Sequence, residues 1–244
     1  MRRASPFKTA VAAFASAFAL AFAPQILAAG TAVNLPQPPV GQGDVEAMQR
    51  GAAVFVNYCM GCHSMQYMRY GRLAEDLKIN EAQVEKFLIH NSAGLGDGMQ
   101  SAMSPEDGKE WFSQAAPPDL SLSARLRGED WIYAYLRGFY RDPARPTGWN
   151  NTLFENAAMP HALAALQGVY ERNAETGALE QVSEGRLSPA EYDALAGDVA
   201  AFMAYAGEPV RGARRKTGAL VMAFLFLLLP ATYFLYREYW KDIH

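Results

Sequence analysis

Cysteine and histidine are scarce in this chain, with two of the first and four of the second among 244 residues. Two thiols exclude the disulfide framework on which small secreted domains rely, and no second Cys/His pair exists to complete a four-ligand zinc site, since His90, His161 and His244 are scattered. Excess positive charge is also absent: 22 Lys and Arg stand against 25 Asp and Glu, for a formal net charge of −3. That balance argues against nucleic acid as a partner. No internal repeat, nucleotide-binding loop or strand-rich stretch stands out.

What the chain does have is Cys59-Met60-Gly61-Cys62-His63, which places both cysteines two residues apart and follows them at once with a histidine. This is the attachment signature of a c-type haem: two thiols add to the vinyl groups, and the adjacent imidazole is held over one face of the iron. A disulfide between Cys59 and Cys62 leaves the histidine unexplained. A thioredoxin-like pair belongs at a helix start after a strand, whereas residues 44–58 read as a helix running into the motif.

The two ends of the chain indicate where such a group works. Arg2, Arg3 and Lys8 precede an uncharged stretch rich in Ala and Phe that ends among small residues, the pattern of a secretory signal with cleavage expected near Ala28 or Ala29. Loss of those three basic residues would leave a mature charge of about −6. Thr217 to Tyr236 is a second uncharged run, about 30 Å long as a helix and so matched to the hydrocarbon thickness of a bilayer. Arg214, Arg215 and Lys216 border it on one side, and Tyr233, Tyr236, Tyr239 and Trp240 on the other. The basic cluster taken alone would lie in the cytoplasm, but an exported domain overrides local loop charge. The expected organisation is a signal peptide over 1–29, a periplasmic haem domain over 30–212, a transmembrane anchor over 213–236 and a cytoplasmic tail over 237–244.

The region between is mostly helical in pattern. Prolines 36, 38 and 39 mark an extended lead-in. Asn80-Glu81-Ala82-Gln83 and Ser188-Pro189-Ala190-Glu191 read as capping boxes, and Ser104-Pro105 as a cap with proline in the first turn. Tyr192, Leu195, Ala196, Val199, Phe202, Met203 and Ala206 repeat at helical spacing. Residues 44–58 and 189–206 fit the first and last helices that small monohaem cytochromes pack beside the haem. Asn91 to Gly98 and Arg141 to Asn156 read as loops over its edges. For the sixth iron ligand, Met159 is preferred because Pro160 restrains its backbone. Met99, Met103, Met203 and His161 remain as alternatives, with Met203 better explained as core.

Beyond these local signals, Cys59 to Met65, followed by Arg69-Tyr70-Gly71-Arg72-Leu73, resembles the haem segment of the cytochrome c1 family, the haem subunit of the cytochrome bc1 complex. The likeness continues through Ala116 to Ser121, Ala124 to Arg127, Asn150 to Asn156, Ala158-Met159-Pro160 and Glu238 to Asp242, so it covers nearly the whole chain after the signal. It implies a mainly α, class I-like cytochrome c domain with long loops and one C-terminal transmembrane helix. It further implies one covalent haem c on Cys59 and Cys62, with His63 and Met159 on the iron and Arg127 beside a haem propionate. The segment Arg127-Gly128-Glu129-Asp130 is shorter than is common in the family, which leaves Arg125 as the other candidate for that role.

By the same resemblance, the expected task is to carry one electron from a Rieske iron–sulfur protein to a cytochrome c, beside cytochrome b, in ubiquinol–cytochrome c reductase, with no enzyme activity of its own. An anchored carrier of another respiratory complex, a haem peroxidase and a gas sensor are the competing classes. Asp97, Glu106, Asp107, Glu110, Glu129, Glu155, Glu171 and Glu175 are expected on surface loops, where they would steer a basic acceptor.

Overall fold

The computed structural model describes residues 35–112 and 116–242. The expected signal segment, residues 1–29, lies outside the described residues.

Two helices form the frame. In α1 (Val45–Val54) the Asp44 side chain accepts the Ala47 N–H at 3.0 Å, and Ala47, Met48, Gly51 and Ala52 form the buried face. Helix α1 widens into a π turn over Phe55–Cys59, which delivers the chain into the Cys-His motif. The later partner helix, α8 (Pro189–Gly207), begins with a complete capping box between Ser188 and Glu191 and carries Pro189 in its first turn. The two cross at Gly51, where a Cβ would stand 2.1 Å from the Asp198 carbonyl oxygen and 2.8 Å from Phe202 Cβ. Only glycine permits that approach. Beside the crossing, Arg50 forks onto the Asp198 carboxylate at 2.7 and 2.8 Å, and Phe55 packs on Phe202 with ring centroids 5.6 Å apart.

Shorter helices complete the helical layer: α2 (Tyr70–Asp76), α3 (Glu81–Phe87), α4 (Pro105–Trp111), α5 (Ser123–Arg127), α6 (Glu129–Arg137) and α7 (Ala164–Gln167). The Asn80 side chain caps α3 by accepting the Ala82 N–H, without the reciprocal half of a box. Ser104 caps α4 and Pro105 occupies its first turn, as the sequence predicts.

Strand structure is where sequence expectation falls short. A ribbon pairs β1 (Met65–Arg69) with β2 (Gly98–Met99), and four strands, β3 (Phe139–Arg141), β4 (Trp149–Asn151), β5 (Gly168–Arg172) and β6 (Leu179–Glu184), form a sheet in the order β4-β3-β5-β6. The pairs β3/β4 and β5/β6 are antiparallel, while β3 and β5 run parallel. Strands β3 and β4 have three residues each, and β6 is almost wholly exposed, so none shows the apolar alternation that marks a strand in sequence.

The chain then turns at Glu208 into α9 (Arg211–Trp240), a helix of 30 residues and about 45 Å. Its most apolar window has mean hydropathy 2.1 and is not buried against any other of the described residues. Such a surface is stable in lipid and not in water, so the chain is a single-pass membrane protein among its described residues. Thr232 Oγ1 donates towards the Leu228 and Leu229 carbonyls near Pro230, where the helix loses a backbone donor.

Candidate haem site

The Cys-His motif is a compact turn in which the N–H groups of Cys62 and His63 both donate to the Cys59 carbonyl, at 3.0 and 2.9 Å. Both thiols are free. Burial pushes the Cys59 thiol up to about 12, with the neighbouring Cys62 adding to the rise. An attacking thiol is served by the opposite shift, so the direction speaks against the thioredoxin-like reading.

His63 is buried, and its Nδ1 lies 2.8 Å from the Pro118 carbonyl oxygen. A carbonyl only accepts, so Nδ1 carries the hydrogen and Nε2 keeps the lone pair. Burial lowers the pKa of the imidazole and keeps it neutral, against the opposing effects of Pro118 and Asp119. Residues that sequence reasoning quoted only as family markers create this environment. Asp119 accepts the N–H groups of Gln66 and Ser121 at 3.0 and 2.8 Å, Leu120 N–H donates to the Ser64 carbonyl, and Ser121 Oγ accepts from Tyr67 N–H. From the other side, Ser101 donates its N–H to Ser64 Oγ and its hydroxyl to the Gly61 carbonyl. The local feature that could have pointed to it is Pro117-Pro118, whose carbonyls accept while their nitrogens cannot donate.

Met159 lies half-buried in a loop fixed by side chains rather than by a helix. Asn150 and Asn151 are buried. Asn150 Oδ1 accepts the Asn151 and Asn156 N–H groups, while its amide donates to Asp142. Asn151 Oδ1 accepts from Leu153 and Phe154, and its amide donates to the Tyr135 carbonyl at 2.8 Å. Asn156 turns the chain with φ +63°, which asparagine tolerates. The Tyr135 hydroxyl is 3.7 Å from Met159 Sδ and donates to it.

Each alternative ligand has surroundings of its own. Met99 pairs with Met65 in the β1/β2 ribbon and is fully buried, and Met203 lies in the core on α8. Met103 is half-buried beside Ser101, which accepts its N–H. His161 stacks on Phe139 at 4.8 Å and 5° and meets Trp149 edge-on, and burial lowers it to about 4. It is a neutral ring of an aromatic cluster.

The two arginines part company. Arg125 pairs with Glu208 at 3.1 Å, and its Cβ borders the Gly207 position. Arg127 lies over Trp131 at 4.5 Å and Phe154 at 5.6 Å, and its charge opposes the burial that pushes the Tyr135 hydroxyl up to about 12. Gly128, at φ +99°, separates α5 from α6 and holds this geometry. Of the acids expected on surface loops, Glu129 is corrected: it is half-buried at the start of α6, its Oε1 has no hydrogen-bond partner among the described residues, and burial raises its pKa despite Arg211. Glu155 and Glu171 are loosely paired with Arg172 and Arg141.

Two free thiols, an adjacent imidazole with its Nε2 lone pair uncommitted to Pro118 and a half-buried thioether on a separate loop are donor types that a covalent haem takes, so the residues present fit that group. Fold and site together define an anchored c-type cytochrome domain. The chain matches the Cytochrome C1 family over residues 36–243 and belongs to it. It is 44% identical over 229 residues to "Cytochrome c1" of Allochromatium vinosum, covering 90% of this chain and 93% of the relative. It is also 43% identical over 215 residues to a Nitrosomonas europaea protein named "Ammonia monooxygenase gamma subunit", covering 88% of this chain and 91% of the relative. "Cytochrome c1" of Rhodospirillum rubrum is 28% identical over 237 residues, covering 83% of this chain and 84% of the relative. The protein carries a covalent haem c and is an electron-transfer subunit of the cytochrome bc1 complex, which makes cytochrome b its partner, and it is not an enzyme on its own.

Proposed function

We propose that this chain receives one electron from a Rieske iron–sulfur protein and passes it to a cytochrome c, at the periplasmic face of a bacterial inner membrane. The observation that carries the reading is the His63 tautomer: Pro118 holds the hydrogen on Nδ1 and leaves Nε2 for the iron. Cys59 and Cys62 would hold the haem through thioether bonds, His63 and Met159 would ligate its iron, and Arg127 rather than Arg125 would meet a propionate. The choice of Arg127 is supported by its place over Trp131 and Phe154 without an acidic partner among the described residues, whereas Arg125 is engaged by Glu208. When bound, the haem supplies a one-electron couple whose reduced form a thioether ligand favours. The residues orient the group, exclude water from His63 and move no proton.

The proposed topology has support in the basic cluster before the anchor. Arg214 pairs with Glu208, and Arg211 donates to Gln42 Oε1 at 2.8 Å and faces Glu129, so these charges belong structurally to the haem domain. The domain limits 1–29, 30–212, 213–236 and 237–244 follow from the same reading.

Met159→Leu tests it directly. Haem should stay attached through Cys59 and Cys62 through acid–acetone extraction, while the midpoint potential falls sharply and the reduced protein begins to bind carbon monoxide. An unchanged potential would overturn the ligand assignment, and carbon monoxide binding by the unaltered protein would favour a haem enzyme or gas sensor. Purification without a di-haem cytochrome b and a Rieske protein would overturn the place in the chain of carriers.

A further inference from the structure

We propose that the Tyr135 hydroxyl, by donating a hydrogen bond to the Met159 sulfur, sets how strongly that thioether binds the oxidised iron and so raises the potential at which this protein works. The proposal rests on Met159 as the sixth ligand. A thioether sulfur has two lone pairs; with one given to iron, the other is free to accept from Tyr135 at 3.7 Å. Donation from the hydroxyl withdraws electron density from sulfur, and Fe(III) depends on that density more than Fe(II) does. The reduced form therefore gains.

The hydroxyl itself is what needs explaining. Tyr135 is only part-exposed, and among the described residues Met159 Sδ is the one hydrogen-bond partner of its hydroxyl. Sulfur is a weak acceptor, so the burial of this group is poorly compensated, and a phenyl ring would pack without that cost. The ring, by contrast, is firmly placed: it stacks on Trp131 at 5.0 Å and 10° and meets Phe139 edge-on at 5.1 Å and 73°. Its backbone carbonyl is held by Asn151, the residue that also shapes the turn leading to Met159. Hydroxyl and thioether are thus fixed by one network, which makes Tyr135 a positioning residue acting through Met159.

Potentiometric titration of the full membrane-bound chain, followed on the haem absorbance, decides the matter with Tyr135→Phe. The variant should keep its covalent haem and lower the ratio of reduced to oxidised protein at fixed poise roughly threefold, which is about 30 mV for a one-electron couple. The sulfur-to-Fe(III) charge-transfer band should shift as well. In a Met159→Leu background the same change should have no effect, an outcome that a packing role would not produce. Ring fluorination of Tyr135, which strengthens the donor and keeps the shape, should move the potential the opposite way and serves if Tyr135→Phe does not assemble. An unaltered potential and band in Tyr135→Phe, with the band abolished in Met159→Leu, would overturn the tuning role and leave the ligand assignment standing. An equal shift in both backgrounds would also overturn it. Survival of the band in Met159→Leu would overturn the ligand assignment first.

Discussion

The two sides of the candidate site are built in different ways. On the His63 side the chain leaves α1 through a π turn, the proposed ligand follows the thiols directly, and one backbone carbonyl fixes its tautomer. On the Met159 side no regular element carries the proposed ligand: two buried asparagines, a positive-φ Asn156 and one tyrosine hydroxyl define the loop. The first side is therefore specified locally and supported by the helix frame. The second depends on side-chain hydrogen bonds between segments distant in sequence, each contributing about 1 kcal/mol net. Loss of the frame should disable both sides; loss of a loop contact should release only one.

The largest effect should come from Gly51→Ala. The added methyl collides with the Asp198 carbonyl at the crossing of α1 and α8, so the helices must separate at a cost of about 3 kcal/mol or more, well beyond the gain of about 1 kcal/mol in helix propensity. Little haem-loaded protein should accumulate, as read by haem staining of membranes; normal loading would mean that the crossing is not what holds the motif.

Asn151→Ala should separate the two sides. It leaves the Tyr135 carbonyl and the N–H groups of Leu153 and Phe154 without their partner, a loss of about 2–3 kcal/mol concentrated in the Met159 loop. Covalent haem and His63 ligation should survive while carbon monoxide binding to the reduced protein appears. Equal loss of both ligands would show the site to be one cooperative unit.

A smaller contrast concerns the arginines. Arg127→Gln should lower the midpoint potential by removing a positive charge near the haem, whereas Arg125→Gln should leave the potential alone and weaken thermal stability by no more than about 1 kcal/mol, the range of exposed ion pairs. Identical potentials in the two variants would remove Arg127 from the propionate role.

The link between haem domain and anchor gives a pH dependence. Glu208, held by Arg214 and Arg125, has its carboxyl pKa lowered, chiefly by the Arg214 hydrogen bond. A depressed folded value stabilises the protein above the ordinary carboxylate pKa and is lost as pH falls through the depressed one. Unfolding midpoints of wild type and Glu208→Gln should differ at neutral pH and converge in acid; a gap that persists in acid would assign the effect to packing.

The smallest expected effect is at the docking surface. Glu106 and Asp107 are exposed in the first turn of α4, and reversal of both charges should slow oxidation by a basic acceptor several-fold at low salt and hardly at all at high salt. A rate indifferent to ionic strength would make docking apolar.

The motif and its neighbours were legible because their signals are local. Cys59-Met60-Gly61-Cys62-His63, the Ser188 capping box, the helical repeat from Tyr192 to Ala206 and the apolar run from Thr217 all depend on chemistry or spacing within a few residues, and the corresponding helices are present. Asn150, Asn151 and the Ala116 to Ser121 block stood out only as resemblance. Their physical roles were invisible because the partners lie far away: Pro118 is 55 residues from His63, and Asn151 is 16 from Tyr135.

Sequence by itself thus determined the covalent chemistry, the helix frame and the anchor, because each is encoded in contiguous residues or a regular period. Tertiary structure alone decided the rest. It chose the His63 tautomer through Pro118, committed Arg125 to Glu208 while leaving Arg127 over its aromatic rings, half-buried Glu129, and assembled four short strands that carry no alternation of their own. The physical reason is that a hydrogen bond or ion pair between distant segments leaves no periodic trace in either one, and which of two similar side chains forms it depends on separations of a few ångströms that only the packed chain fixes.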